Sequence, residues 1–294
     1  LDPWFVANTP RSATQEWLEA ANRATGFARL DEEAFPHFSE GTVWLVGAGP
    51  GAPGLLSLLA YHALQHCDVV VYDALVNADI LRWARVGAKI EYAGKRGGKP
   101  SPSQRDISLR LIELARSGKR VLRLKGGDPY IFGRGGEEAG QIAKAGISFR
   151  VVPGITAGIG GLAYSGIPAT HRDINHSVLF LTGHDATGAM PANVDWKAVA
   201  RASPVIVMYM AVKHLDEIAR RLISGGREAA DTVLIVSNAT LPQQEVHETK
   251  LGLVKDFLAS MTPSTPAIVV VGPLSEWRQT LDWYGSALRE NKIG

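Results

Sequence analysis

Arg123-Leu-Lys-Gly-Gly-Asp-Pro-Tyr-Ile-Phe-Gly-Arg-Gly-Gly-Glu137 is the stretch from which the rest of the chain can be read. The short apolar run over residues 121–124, with charge at Arg123 and Lys125, predicts a strand. Residues 137–145 predict the helix that follows. Between them lie five glycines, one proline and one aspartate. Gly126-Gly127 lets a backbone come close to a ligand because no Cβ intervenes. Asp128 then stands at the carboxyl end of a strand, where open α/β sheets hold their ligands. At this point a surface turn with Asp128 as its cap is an equally good reading.

Upstream, residues 42–46 predict a strand running into Gly47-Ala-Gly-Pro-Gly-Ala-Pro-Gly54, and residues 55–66 a helix. A strand over 68–72 ends at Asp73, a short helix covers 80–85, and a strand over 89–93 opens into Gly94-Lys-Arg-Gly-Gly-Lys-Pro-Ser-Pro102. Ile107, Leu111 and Leu114 mark one face of a helix over 104–117. Downstream, a strand over 148–152 meets Pro153-Gly-Ile-Thr-Ala-Gly-Ile-Gly-Gly161 and a small-residue helix over 156–164. Strands follow at 177–182, 205–210, 232–237 and 267–271, and helices at 213–224, 252–260 and 276–286, with a loop over 185–195. Such alternation predicts mainly parallel sheets covered by helices. The expected fold is α/β: two α/β domains, residues 41–153 and 154–290, with an active-site cleft between them. Residues 1–40 read as an extension, partly helical around Trp17, Leu18, Ala21 and Ala24, or tag-like. They leave no room for a second catalytic domain.

The composition narrows the function classes. The 294 residues are 46% hydrophobic and 20% charged, a balance that buries a core. A net charge of +2 is too mild for a nucleic-acid binder. The single cysteine, Cys67, rules out an internal disulfide and fits a reducing cytoplasm. No apolar run reaches membrane-spanning length, and no secretory signal is read at the N-terminus.

Gly47-Ala-Gly-Pro-Gly51 partly matches a dinucleotide fingerprint, but Pro50 removes a backbone donor that would hold a pyrophosphate. Asp73 ends the next strand at about the spacing of a ribose contact. The signal suits a nucleotide-like ligand and is weak for a nicotinamide dinucleotide; a purely structural turn is the alternative. Lys95, Arg96, Lys99, Arg134 and Arg172 sit in loops at strand ends, where charge binds anions more often than on helix faces. Together they suit a small molecule with several carboxylates or phosphates. No metal-binding pattern, serine-hydrolase elbow or Walker loop is present; His171 and His176 near Asp173 have no second cluster.

Val46-Gly-Ala-Gly-Pro-Gly51, Tyr72-Asp73-Ala-Leu-Val76, Gly94-Lys-Arg96, Arg123 to Pro129, Phe132-Gly-Arg-Gly-Gly-Glu137, Val152-Pro-Gly-Ile-Thr-Ala157 and Thr265-Pro-Ala267 occur in one order and spacing. This resembles the tetrapyrrole (precorrin) methylase family, from about Gly41 to about Trp283. The resemblance implies a homodimer of two-domain chains with S-adenosylmethionine bent in the cleft. It implies cofactor contacts at Pro50, Gly126, Gly127, Asp128, Ile131, Thr156, Ala157, Met210, Ala239 and Ala267. It also implies Asp73 and Lys95 as proton acceptor and donor, with Arg134 near the reacting carbon. Arg96, Arg134, Glu137 and Arg172 would meet the carboxylate-rich substrate. The implied reaction is methylation of uroporphyrinogen III at C2 and C7, giving precorrin-2 for sirohaem, cobalamin or haem d1; the sequence does not choose among these. A later precorrin methylation is the near alternative, and a nicotinamide-dependent dehydrogenase the distant one. In one departure, Gly49-Pro-Gly-Ala52-Pro53 has alanine where the family usually has aspartate. That puts in question any part a carboxylate plays at the cleft mouth.

Overall fold

The computed structural model describes residues 35–94, 104–185, 187–273, 278 and 280–285. Every element below belongs to the unit that begins at Ser39. The first half runs β1 (Val43–Gly47), α1 (Leu58–His66), β2 (Val69–Tyr72), α2 (Ala78–Leu81), β3 (Lys89–Tyr92), α3 (Gln104–Arg116), β4 (Val121–Lys125), α4 (Gly135–Lys144) and β5 (Phe149–Val152). Ser57 starts α1 by accepting the Ala60 N–H, and Asn77 starts α2 by accepting that of Asp79. The strands form one sheet in the order β3-β2-β4-β1-β5. All its pairings are parallel, as the alternation predicts. β1 and β4 lie inside this sheet and are buried along their whole length; β1 reads as a continuous apolar run, while β4 buries Arg123 and Lys125 among its apolar residues. Leu111 of α3 and Ile142 of α4 pack on Val43, Leu45, Val69 and Val71. Each such fully buried Leu or Ile contributes ~1.5–3 kcal/mol.

The second half runs α5 (Ala157–Tyr164), β6 (Val178–Thr182), α6 (Trp196–Ala202), β7 (Val205–Tyr209), α7 (Leu215–Ser224), β8 (Thr232–Ser237), β9 (Glu245–Lys250), α8 (Val254–Ser260) and β10 (Ala267–Val271). Its sheet has the order β6-β7-β10-β8-β9. The expectation of a mainly parallel sheet fails here. Only β6 and β7 are parallel, while β10 lies antiparallel between β7 and β8, and β9 antiparallel on β8. Antiparallel neighbours need no crossover helix, so the strand–helix rhythm did not report this change. α6 and β9 were also not expected. β9, Glu-Val-His-Glu-Thr-Lys, is a polar edge strand with no apolar run to mark it. Of the helix expected over 276–286, residues 276, 277, 279 and 286 lie outside the described residues; Arg278, Thr280 and Leu281 are helical, and residues 282–285 are not.

Residues alternate between the two faces of this second sheet with period two. Ile206, Met208, Val233, Ile235, Val269 and Val271 pack against Leu215, Ile218 and Leu222 of α7. Val205, Val207, Leu234, Val236, Ile268 and Val270 face Leu162 of α5. Among the described residues, no helix is long and apolar enough to cross a membrane.

Candidate active site

The site grows from the carboxyl ends of parallel strands. Val46 of β1 and Tyr72 of β2 both pair with Leu124 of β4, so the loops that follow these strands open at one edge. There the Gly127 N–H donates to Gly49 O at 2.7 Å, and the Gly49 N–H returns a bond to Gly127 O at 3.2 Å. Gly127 holds φ +65°, a left-handed conformation that glycine adopts without penalty. At Gly126 an added Cβ would lie 2.5 Å from Leu75 Cβ, so only glycine lets the two loops meet.

These loops form one wall of a cavity of about 490 Å³; the second sheet and the start of α5 form the other. Of the expected cofactor residues, Pro50, Gly126, Gly127 and Ile131 line it from the first side. Thr156, Ala157, Met210, Ala239 and Ala267 line it from the second. Asp128 is not among the lining residues. Its carboxylate accepts the N–H of Tyr130 at 2.8 Å and that of Gly154 at 3.0 Å, tying the β4 loop to the loop after β5. Asp128 thus caps its own turn here, as the competing turn reading has it.

Asp73 lines the cavity. Its Oδ1 accepts from Leu75 N at 3.1 Å and Gly126 N at 3.4 Å, and Oδ2 lies 3.6 Å from Arg123 Nη2. Arg134 also lines the cavity, at the N-terminus of α4 with φ +58°. Its fork is paired with Glu137. That bond raises the Arg134 pKa and lowers that of Glu137. Arg172 is exposed in the turn that His171 and Asn175 close, and is not among the lining residues. Lys95 and Arg96 lie outside the described residues.

Sequence reading missed three features of the site. Tyr209 lines the cavity, and its hydroxyl shares a 2.7 Å hydrogen bond with Thr156 Oγ1 while accepting the Gly158 N–H at 2.9 Å. Burial holds the phenol above its usual range. Phe132, another lining residue, packs on the Tyr209 ring with centroids 4.9 Å apart. Third, Arg123 and Lys125 are buried and line the cavity floor beside the buried Glu138. Their spacing of two along an apolar strand was the available signal, since it puts both on one face. At Ala52, which lacks the family's usual carboxylate, the backbone N–H donates to Thr240 Oγ1 at 2.8 Å and links the two halves across the cleft.

A profile described as Tetrapyrrole (Corrin/Porphyrin) Methylases matches residues 42–254. The chain belongs to the tetrapyrrole methylase family. This methylase is 60% identical over 251 residues to a Uroporphyrinogen-III C-methyltransferase of Sinorhizobium sp, covering 85% of this chain and 90% of that one. It is 44% identical over 257 residues to Siroheme synthase 1 of Pectobacterium atrosepticum, covering 87% of this chain but 52% of that longer one. Among solved structures, a Uroporphyrin-III C-methyl transferase from Thermus thermophilus, complexed with S-adenyl homocysteine, superposes with a TM-score of 0.70 at 36% identity. That match covers 80% of this chain and 99% of the other. Family membership removes the dehydrogenase reading, which rested on the first glycine-rich loop alone.

Proposed function

We propose that this methylase transfers methyl groups from S-adenosylmethionine to C2 and C7 of uroporphyrinogen III, giving precorrin-2. The observation that carries this reading is the 60% identity to the Sinorhizobium enzyme over most of both chains. The cavity fits the cofactor's chemistry. Ala157, Ala239 and Ala267 offer a smooth apolar wall, and the Gly126-Gly127 turn brings backbone without side chains to the opposite side. At about 490 Å³ the space is of the size that small-molecule sites occupy.

Bound there, S-adenosylmethionine supplies an electrophilic methyl group. The protein's own work is to hold the pyrrole carbon in line with it, which removes most of the entropic barrier. Asp73 is the carboxylate we assign to take the proton that the methylated ring must lose. Backbone N–H groups of Leu75 and Gly126 hold it in place. Arg134, oriented by Glu137, is assigned to a substrate carboxylate, for which its planar fork is suited. Arg172 and Arg96 remain assigned to the substrate, and Lys95 to proton donation, on the resemblance. The same resemblance supports a homodimer, the glycine-rich stretch that opens at Pro153 supports the division at 153/154, and the single Cys67 supports a cytoplasmic location.

The test is incubation of the full chain with uroporphyrinogen III and methyl-labelled S-adenosylmethionine, followed by mass analysis. Two added methyl groups per macrocycle are expected. Transfer only to an already methylated precorrin would replace this reading with a later step of the same chemistry.

A further inference from the structure

Beneath the cavity lies a group of charges that the proposed reaction does not use. Lys125 Nζ is 3.1 Å and Arg123 Nε 3.2 Å from the same oxygen, Glu138 Oε1. The three side chains are 4%, 3% and 0% exposed, so solvent screens them little. Arg123 is held further by Val71 O at 3.4 Å and Leu124 O at 3.3 Å, and its Nη2 points on to Asp73 Oδ2. Lys125 and Asp73 both line the cavity. The chain of contacts therefore runs from a carboxylate inside α4, through two cations on β4, to the carboxylate that faces the ligand space.

Two cations on one carboxylate oxygen is a costly arrangement. It has a consequence for protons. Lys125 is the member whose proton is held less firmly than usual, because a guanidinium stays charged. Burial first, then Arg123, pulls the Lys125 pKa down, while Glu138 and Asp73 pull it up. Glu137, on the outer face of α4, also feels the ammonium.

We propose that Lys125 and Glu138 are positioning residues that act through Arg123 to set the pH range in which Asp73 works. This rests on the reading of the cavity as the methyl-transfer site. Asp73, Arg123, Lys125 and Glu138 form one chain of contacts among the described residues, and the charge behind Arg123 acts through it on the front carboxylate.

The test is the pH profile of methyl transfer at saturating substrate, with S-adenosylhomocysteine affinity by calorimetry beside it. Lys125→Met removes a positive charge, so the acid limb of kcat moves up by on the order of one pH unit. Glu138→Gln removes a negative charge, so the same limb moves down. Lys125→Arg keeps the charge and restores the native limb. Shifts in the same direction, or unmoved limbs with normal S-adenosylhomocysteine binding, overturn the proposal. If Glu138→Gln does not fold, the Lys125→Met and Lys125→Arg pair decides it alone. An activity-free arm separates this inference from the function itself. In carbon-13 lysine-labelled protein, the signal missing from Lys125→Met must titrate below the other lysines. A Lys125 signal that titrates with the surface lysines sinks the proposal even in an active enzyme. A native chain that shows the displaced signal yet does not methylate uroporphyrinogen III sinks only the substrate assignment.

Discussion

Arg134 donates through both Nε and Nη2 to the two carboxylate oxygens of Glu137, at 3.0 and 2.7 Å. The pair is about half exposed, so by itself it adds only ~0–1 kcal/mol to stability. Its effect is to aim the guanidinium. The left-handed φ of Arg134 and the start of α4 place that fork at the cavity edge.

Arg134→Ala is therefore expected to leave S-adenosylhomocysteine affinity nearly unchanged and to weaken the tetrapyrrole by ~1.5–3 kcal/mol, the worth of a hydrogen bond to a charged group. Arg134→Lys keeps the charge without the fork and falls between. Arg172→Ala gives a loss of the same kind if that exposed loop closes on the ligand. Steady-state transfer at varied uroporphyrinogen III, with calorimetry for the cofactor, measures both. Full activity in the Arg134→Ala variant would remove Arg134 from the substrate site.

Gly127 separates backbone strain from steric block. An added Cβ meets nothing closer than Thr156 Cα at 3.8 Å, so Gly127→Ala pays only for its φ of +65°, ~1–2 kcal/mol of stability. Gly127→Val carries two further methyl groups towards the cavity that Gly127 lines. Folded Gly127→Val protein with no measurable S-adenosylhomocysteine binding is expected. Native affinity in that variant would take the turn out of the site.

Tyr209 caps a helix from another strand. Thr156 precedes α5 but makes no side-chain cap bond, and the Gly158 N–H in the first turn goes to Tyr209 Oη instead. Tyr209→Phe leaves that donor and the Thr156 hydroxyl to find new partners, at a cost of ~1–3 kcal/mol. A lower melting temperature together with weaker cofactor binding is expected, because α5 begins at the cavity wall. An unchanged melting temperature would mean that water replaces the phenol at no cost.

Asp68 governs acid stability on the far side of the first sheet. Its carboxylate accepts Arg120 N, Nε and Nη2 at 2.9, 3.0 and 2.8 Å, and Arg85 Nη2 at 2.6 Å. Arg120 holds its pKa down at about 2, against the usual 3.8. A depressed carboxylate stabilises the fold above the unfolded pKa and loses that contribution as pH falls through the folded one. Asp68→Asn should thus lower the melting temperature at neutral pH. The gap from the native chain should close as pH drops from about 4 towards 2. A gap that persists at the acid end would point to packing rather than charge.

Much was legible in the chain because it is local. The all-parallel first sheet follows from strand–helix alternation with apolar runs at β1 and β4. The glycine-rich loops follow from the backbone freedom that their turns require. Nine of the ten expected cofactor residues do meet around one cavity, since parallel strands deliver their loops to a common edge. Periodicity reports which face of an element is apolar, not which element lies beside it. Only tertiary structure set β10 antiparallel between β7 and β8, paired the polar β9 at the edge, and turned Asp128 onto Gly154 N. The same holds for Lys125, Arg123 and Glu138. On the chain they are charges in an apolar strand and a helix thirteen and fifteen residues on. Burial puts both cations within hydrogen-bonding distance of one oxygen, and in that low-dielectric setting the three charges act on one another far more strongly than they would in water.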